Sequence, residues 1–316
     1  MSFIAPPSNL GAFLKRELDR ILPGYFMERY PTLWGTTSDI IPSTPDLEIG
    51  IENIVEQMMR TVGEAKFLAD GTQDIPAADI GISEANFKVF AWASRCQYSI
   101  LELGAASAAN KPIKELRAKA AVKALLEKMH RYALVGRPDA SAFGLMNQPT
   151  VALSISAYNA LTATAQQHVD FVAESLQIVS DNSEMTEEID TLLVPSKLYS
   201  IWTRTILPNT SKNILSYIQE NLNNESVFRL SRIVAINESR ATNLERLGVN
   251  ATGTSRDRLI FLSSKPEIME RKYYAPIELD PQLVGLEWLC FMFMGCSELI
   301  LHYPGAMRYV EINTLG

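Results

Sequence analysis

Apolar residues recur at helical spacing between Lys111 and Tyr132, at Ile113, Leu116, Ala120, Leu125, Met129 and Tyr132 or Ala133, and so mark one face of a helix. The stretch KPIKELRAKAAVKALLEKMHRY has no Gly and no Pro after Pro112, is dominated by strong helix formers, and is closed by Gly136 and Pro138. Pro112 suits the first turn, where a missing N–H costs little. At 1.5 Å per residue this is a rod of about 33 Å, long enough to cross a whole domain.

The pattern upstream has a different period. Ile49, Ile51 and Val55 alternate with Glu48, Glu52 and Glu56, and Phe87–Ile100 is rich in aromatic and β-branched residues. The two runs predict one long hairpin over 47–100, its limbs joined by an acidic, Gly- and Pro-containing loop over Gly63–Glu84. Limbs of about a dozen residues are twice the usual strand length, and a lone two-stranded ribbon is marginal in water. Phe67, Phe87, Phe90 and Trp92 are therefore expected to be covered largely by an adjacent subunit. Before the hairpin, Leu10, Leu14, Leu18 and Ile21 share one face of a short helix that Asn9 can cap. Pro23, Pro31, Pro42 and Pro45 then impose an extended segment. Residues 1–46 read as an arm whose aromatics, Trp34 among them, need a surface to lie on.

Downstream, Gly136–Pro149 is a turn-rich connection and Ala157–Val179 predicts a second helix. Asp181–Asp190 reads as a solvated acidic loop without the spacing of a calcium loop. A buried strand at Thr191–Val194 leads into a helix capped by Ser196, and Ser211 caps a helix over Lys212–Leu222. Strands are predicted at Val227–Ile236 and Leu259–Leu262, so 158–264 reads as an α/β lobe. The tail turns to strands at Glu267–Tyr274, Leu286–Met294, Leu299–Tyr303 and Met307–Ile312. Its run Trp288–Met294 is apolar throughout, as in a strand buried on both faces.

At 316 residues and 47% apolar content the chain can bury a substantial core, divided over two lobes. Its formal charge of −7 argues against a dedicated nucleic-acid binder. Cys96, Cys290 and Cys296 form no CxxC, which fits a protein made in a reducing compartment. No signal peptide is visible and no apolar run is long enough to span a bilayer. A soluble protein made in the cytoplasm is expected.

Catalytic motifs are missing: no Gly-rich phosphate loop, HExxH or nucleophile elbow. His130, His168 and His302 are far apart in sequence. Glu287 and Glu298 bracket the apolar tail and read as a strand's exposed end and a turn rather than an acid/base pair. No catalytic residue, cofactor or metal is expected.

Five stretches, LGAFLKRELDRI, SILELGAASAANKPIKELRAKAAVKALLEKMHRYALVG, AFGLMNQPTV, DTLLVPSKLYSIW and QLVGLEWLCFMFMGCSELILHYPGAMRYVEI, taken in order, resemble the major capsid proteins of tailed bacteriophages. That fold is shared with herpesvirus-type shells. The resemblance implies an α+β fold with an N-terminal arm (1–46), an extended β-hairpin loop (47–100) and a peripheral domain (101–157 and 265–316) holding a spine helix at 111–133. An α/β axial domain (158–264) would complete it. It further implies a structural protein, not an enzyme, that self-assembles into hexamers and pentamers of an icosahedral head around double-stranded DNA. Its partners would be further copies of itself and a portal protein, with scaffolding and decoration proteins as further candidates, and no membrane. It would be assembled in the host cytoplasm and reside in the virion. Many relatives carry a long N-terminal scaffolding segment; this chain enters the arm almost at once, which implies a separate scaffold or none. Lys111, Lys114, Arg117, Lys128 and Arg131 fall within about half the helix circumference and could face packaged DNA, unless they are a solvated face balanced by Glu115 and Glu127. The competing functions are a bacterial nanocompartment shell of the same fold, enclosing cargo enzymes, and an α/β enzyme with an unrecognised site.

Overall fold

The computed structural model describes residues 40–63, 78–108, 113–222, 229–249 and 256–313, so the arm up to residue 39, with Trp34, lies outside the described residues. In chain order come β1 (Ser43–Thr44), β2 (Asn53–Val62), β3 (Asp79–Ser99), α1 (Ile100–Ala108) and the spine, α2 (Ile113–Val135). Then follow β4 (Gly136–Arg137), β5 (Ala142–Phe143), β6 (Ala152–Ile155), α3 (Ala165–Asn182), β7 (Thr191–Pro195), α4 (Ser196–Arg204) and α5 (Ile214–Asn221). The rest is β8 (Arg232–Ile236), α6 (Ala241–Leu247), β9 (Arg256–Leu262), β10 (Met269–Glu278), β11 (Gln282–Val284), β12 (Glu287–Ser297), β13 (Ile300–Leu301) and β14 (Met307–Asn313).

Two sheets organise these elements. The first has the order β1-β10-β12-β3-β2, with β11 on β12 and β13 on β10. The spine lies across it, burying Ala121, Leu125, Met129 and Tyr132 against Cys96, Tyr98, Cys290, Met292, Met294 and Cys296. Burial along β12 alternates, with Cys290, Met292 and Met294 covered and Leu289, Phe291 and Phe293 only half-buried. This corrects the reading of Trp288–Met294 as covered on both faces: one helix covers one face. Opposite Gly295 in the ladder stands Tyr274, and a Cβ there would lie 2.5 Å from its ring. Only glycine admits that approach.

The second sheet has the order β6-β14-β9-β7-β8, and its inner strands β14, β9 and β7 are buried on both faces, while the edge strand β6 leaves Leu153 and Ile155 exposed. Leu192, Val194, Leu259, Phe261, Val310 and Ile312 face α3, α4 and α5. Their neighbours Leu193, Ile260, Leu262, Met307 and Tyr309 face the other way, onto the C-terminal end of the spine and Leu145 and Met146. Such continuous apolar strands are what a doubly covered sheet needs. β14 and β6 belong to this sheet, although the sequence division assigns 265–316 and 101–157 to the peripheral domain. The last tail strand crosses back because its ladder to β9 runs the whole length of both strands, Met307↔Leu262 to Asn313↔Arg256.

The turn AFGLMNQP closes the spine. Leu145 N–H donates to Ala133 O (2.9 Å), Met146 N–H to Leu134 O (2.8 Å) and Asn147 Nδ2 to Val135 O (2.8 Å), satisfying carbonyls that a helix end leaves orphaned. Gly144 makes this possible, since a Cβ there would sit 2.4 Å from the backbone of Leu134.

Several boundaries move for local reasons. The second helix starts at Ala165 rather than Ala157, because Thr164 and Gln167 form a reciprocal capping box. Asn213, not Ser211, caps α5, accepting from Ser216 N–H at 2.8 Å. In α4, Ser196 is the first helical residue and Pro195 the cap position. β2 begins at Asn53, beyond a left-handed Gly50 (φ 96°), so Ile49 and Ile51 lie outside the ladder.

Candidate assembly surfaces

The hairpin is two structures end to end. The 21-residue β3 pairs with β2 over Asp79–Lys88 and with β12 over Val89–Ser99. At about 3.3 Å per residue it spans roughly 70 Å. Asp79–Glu84, expected in the loop, is thus strand, and the tip with Phe67 lies outside the described residues.

Beyond Lys88 the ribbon carries an apolar face that no described residue covers. Met59 stands opposite Ile82, Thr61 opposite Ile80 and Val55 opposite Asn86, which puts Val55, Met59, Ile80 and Ile82 on one side. Each is more than half exposed. A second apolar group gathers at the turn between β11 and β12, where Leu283, Val284 and Leu286 are exposed and Ile100 N–H bonds Leu286 O (3.0 Å) beside the exposed Leu101.

At the root, Glu298 locks the ribbon to the body. Its Oε1 accepts from Lys88 N–H (2.7 Å), its Oε2 from Phe143 N–H (3.0 Å), and its own N–H donates to Lys88 O (2.9 Å). The Lys88 ammonium donates to Ala140 O. Glu298 is buried, which raises its pKa against the opposing pull of the two N–H donors. It is therefore not the exposed turn residue its sequence position suggests.

Two of the predicted contact residues also pack within the subunit. Trp92 donates from Nε1 to Leu125 O (3.1 Å), and Phe90 and Trp92 pack on Tyr132 at ring distances of 5.9 and 5.7 Å. Arg137 lies over Phe90 at 5.3 Å. The spine covers part of both rings and leaves each half-buried. Phe87 is half-buried opposite Ile54 at the ribbon's root. The residues that sequence reasoning missed, Met59, Ile80 and Ile82, are the exposed ones; the alternation in Asp79–Glu84 was their available signal.

The basic helix face is reduced as well. Arg117 turns to Glu102, with Nη1–Oε2 at 3.0 Å, and also donates to Gln97 O. Lys114, Lys128 and Arg131 stay exposed, and Lys111 lies outside the described residues.

His168 and the three cysteines also lie in the interior. His168 is buried, and its Nδ1 accepts from Trp202 Nε1 at 3.1 Å while touching the Tyr158 hydroxyl. Burial lowers its pKa and keeps it neutral. The three cysteines are buried thiols, and burial pushes Cys296 up to about 11. Among the described residues no helix is long and apolar enough to cross a membrane.

The family model described as Major capsid protein matches residues 63–312. A search of curated proteins gave no match. Among solved structures, the chain is similar to the capsid of Myoviridae phage XM1, at TM-score 0.77 and 14% identity, covering 94% of this chain and 97% of that one. It is also similar to the capsid of a native GTA particle (TM-score 0.66, 8% identity, 98% and 100% covered). A third likeness is to the holo-SrpI encapsulin complex from Synechococcus elongatus (TM-score 0.56, 11% identity, 96% of each chain).

Proposed function

This chain belongs to the major capsid protein family, and from that premise we propose that it assembles as hexamers and pentamers into the icosahedral head of a tailed phage, around double-stranded DNA. The observation that carries this reading is the ribbon beyond Lys88, whose apolar face has no partner within the described residues. A portal protein and assembly in the host cytoplasm belong to the same reading, with scaffolding and decoration proteins as further candidate partners. A nanocompartment shell enclosing cargo protein is the competing one, supported by the likeness to an encapsulin.

Electron microscopy of the purified, assembled protein tests both. Closed icosahedral particles with nuclease-protected DNA are expected when they are made with the rest of the phage. Particles filled with protein and free of DNA would select the nanocompartment, and a lasting monomer at high concentration would refute a shell altogether.

In this reading Lys114, Lys128 and Arg131 face the DNA, and Arg117, neutralised by Glu102, does not. Replacing the three by Gln should make filled particles lose DNA at lower ionic strength, each lost phosphate contact reducing the salt slope by about 0.9. An unchanged ratio of filled to empty particles across salt would leave the face as ordinary solvated surface.

A further inference from the structure

We propose that Glu56, Glu270 and His302 form a binding site for one divalent transition-metal ion of the zinc or manganese class. Each offers one ligand atom, and the three atoms lie within 4.8 Å of one another. His302 Nδ1 is already 3.0 Å from Glu56 Oε2. Ligands at bond lengths near 2.1 Å sit about 3 to 3.5 Å apart around one ion, so that pair is at ligand spacing and a small rotation of the Glu270 carboxylate brings in the third.

The three side chains come from separate elements and are held by backbone, not by chance of rotamer alone. Glu56 is on β2 and Glu270 on β10, paired with Ile300 of β13. His302 follows β13 directly, its N–H bonded to Ile268 O at 2.9 Å. All three side chains are roughly four-fifths buried, at 21% exposed for Glu56, 24% for His302 and 19% for Glu270. Two carboxylates brought this close repel unless a cation compensates. Lys272 Nζ, 3.2 Å from Glu270 Oε1, supplies one positive charge and leaves the other Glu270 oxygen for an ion.

The donor set selects the metal. Calcium and magnesium prefer all-oxygen shells, whereas an imidazole with two carboxylates suits zinc or manganese. Three protein ligands leave coordination positions for water. In the sheet, β12 and β3 separate β10 from β2. The ion would join strands that no backbone ladder joins, fixing the angle at which the ribbon leaves the body.

The purified 316-residue chain, stripped with EDTA and titrated with Zn²⁺ by calorimetry, tests this. One equivalent per subunit is expected, with Zn²⁺ raising the melting temperature. His302→Ala and the isosteric Glu270→Gln should each weaken binding at least about tenfold, the loss that removing even an outer partner of a metal ligand causes. His130→Ala, which alters a half-buried histidine beside Glu238 on the spine, should leave binding unchanged. Melting curves in EDTA separate lost binding from lost folding. The proposal is overturned if the wild-type chain takes up no stoichiometric Zn²⁺ at about 100 µM, or if both site variants, folded in EDTA, bind as the wild type does. The three residues would then be an ion-pair network only, and the shell reading would stand untouched.

Discussion

Replacing Met58–Ser83 by a two-residue Asn-Gly turn is expected to leave a folded subunit that closes no shells. Met58 and Ser83 stand opposite each other, so the shortened ribbon can close on the pair Gln57 and Glu84 without shifting register. The deletion removes Met59, Ile80 and Ile82 and touches no residue of the three buried clusters, which begin along β3 at Phe90. Unfolding free energy should therefore stay within about 1 kcal/mol of the wild type, as for changes away from the core.

Assembly should respond differently. Covering the three deleted side chains of the ribbon's apolar face, each more than half exposed, is worth on the order of 4 kcal/mol for each copy, against at most about 1 kcal/mol for an exposed ion pair. Repeated around a closed shell, that loss exceeds what the remaining contacts have in reserve, because each association also costs several kcal/mol of lost freedom. Size-exclusion chromatography and electron microscopy would show it. Normal shells from the shortened chain would reduce the ribbon to decoration, and an unfolded product would place it in the core.

The spine was legible because its signal is local. Leu125, Met129 and Tyr132 repeat at helical spacing and all three are buried. Its N-terminal half follows the stripe less closely, since Ala121 and not Ala120 is covered. The ribbon was legible as a long hairpin, yet its working face was not. Asp79–Glu84 has a loop's composition and is held as strand by the ladder to β2 alone. Phe90 and Trp92 look like ribbon aromatics until β12, some two hundred residues later in the chain, pairs with that half of β3. Glu298 fails for the same reason, as its two N–H donors come from Lys88 and Phe143. Arg117 needed only Glu102, fifteen residues upstream, but the two sit on different helices, α2 and α1, and no helical spacing relates them. The cation cluster draws on residues 56, 270 and 302, which no spacing rule connects.

The joint between the spine and the second sheet should be the most sensitive point of the subunit. Arg258 on β9 and Glu311 on β14 are directly opposed, 7% and 6% exposed, with Nη2 and Oε1 2.5 Å apart. The guanidinium also donates to Met146 O and lies 5.1 Å from the centre of the Tyr309 ring. Tyr309 in turn donates to Leu145 O (2.6 Å) and accepts from Gln148 N–H (3.1 Å). Two sheet strands and the turn that caps the spine thus share one buried polar cluster. Glu311→Ala takes one carboxylate from a buried guanidinium, and breaking a buried pair in this way costs about 3–5 kcal/mol. At roughly 2–4 °C per kcal/mol for a chain of this order, the melting temperature should drop by about 10 °C. Replacing both partners, Arg258→Met with Glu311→Leu, removes both charges of the pair and should recover much of that loss, less the other bonds of the guanidinium, that to Met146 O among them. Thermal or urea unfolding of the purified subunits decides between an ion pair and mere packing. A single variant within about 1 kcal/mol of the wild type would show that the charges are solvated there, and a double variant as weak as the single would show that volume, not charge, holds the joint.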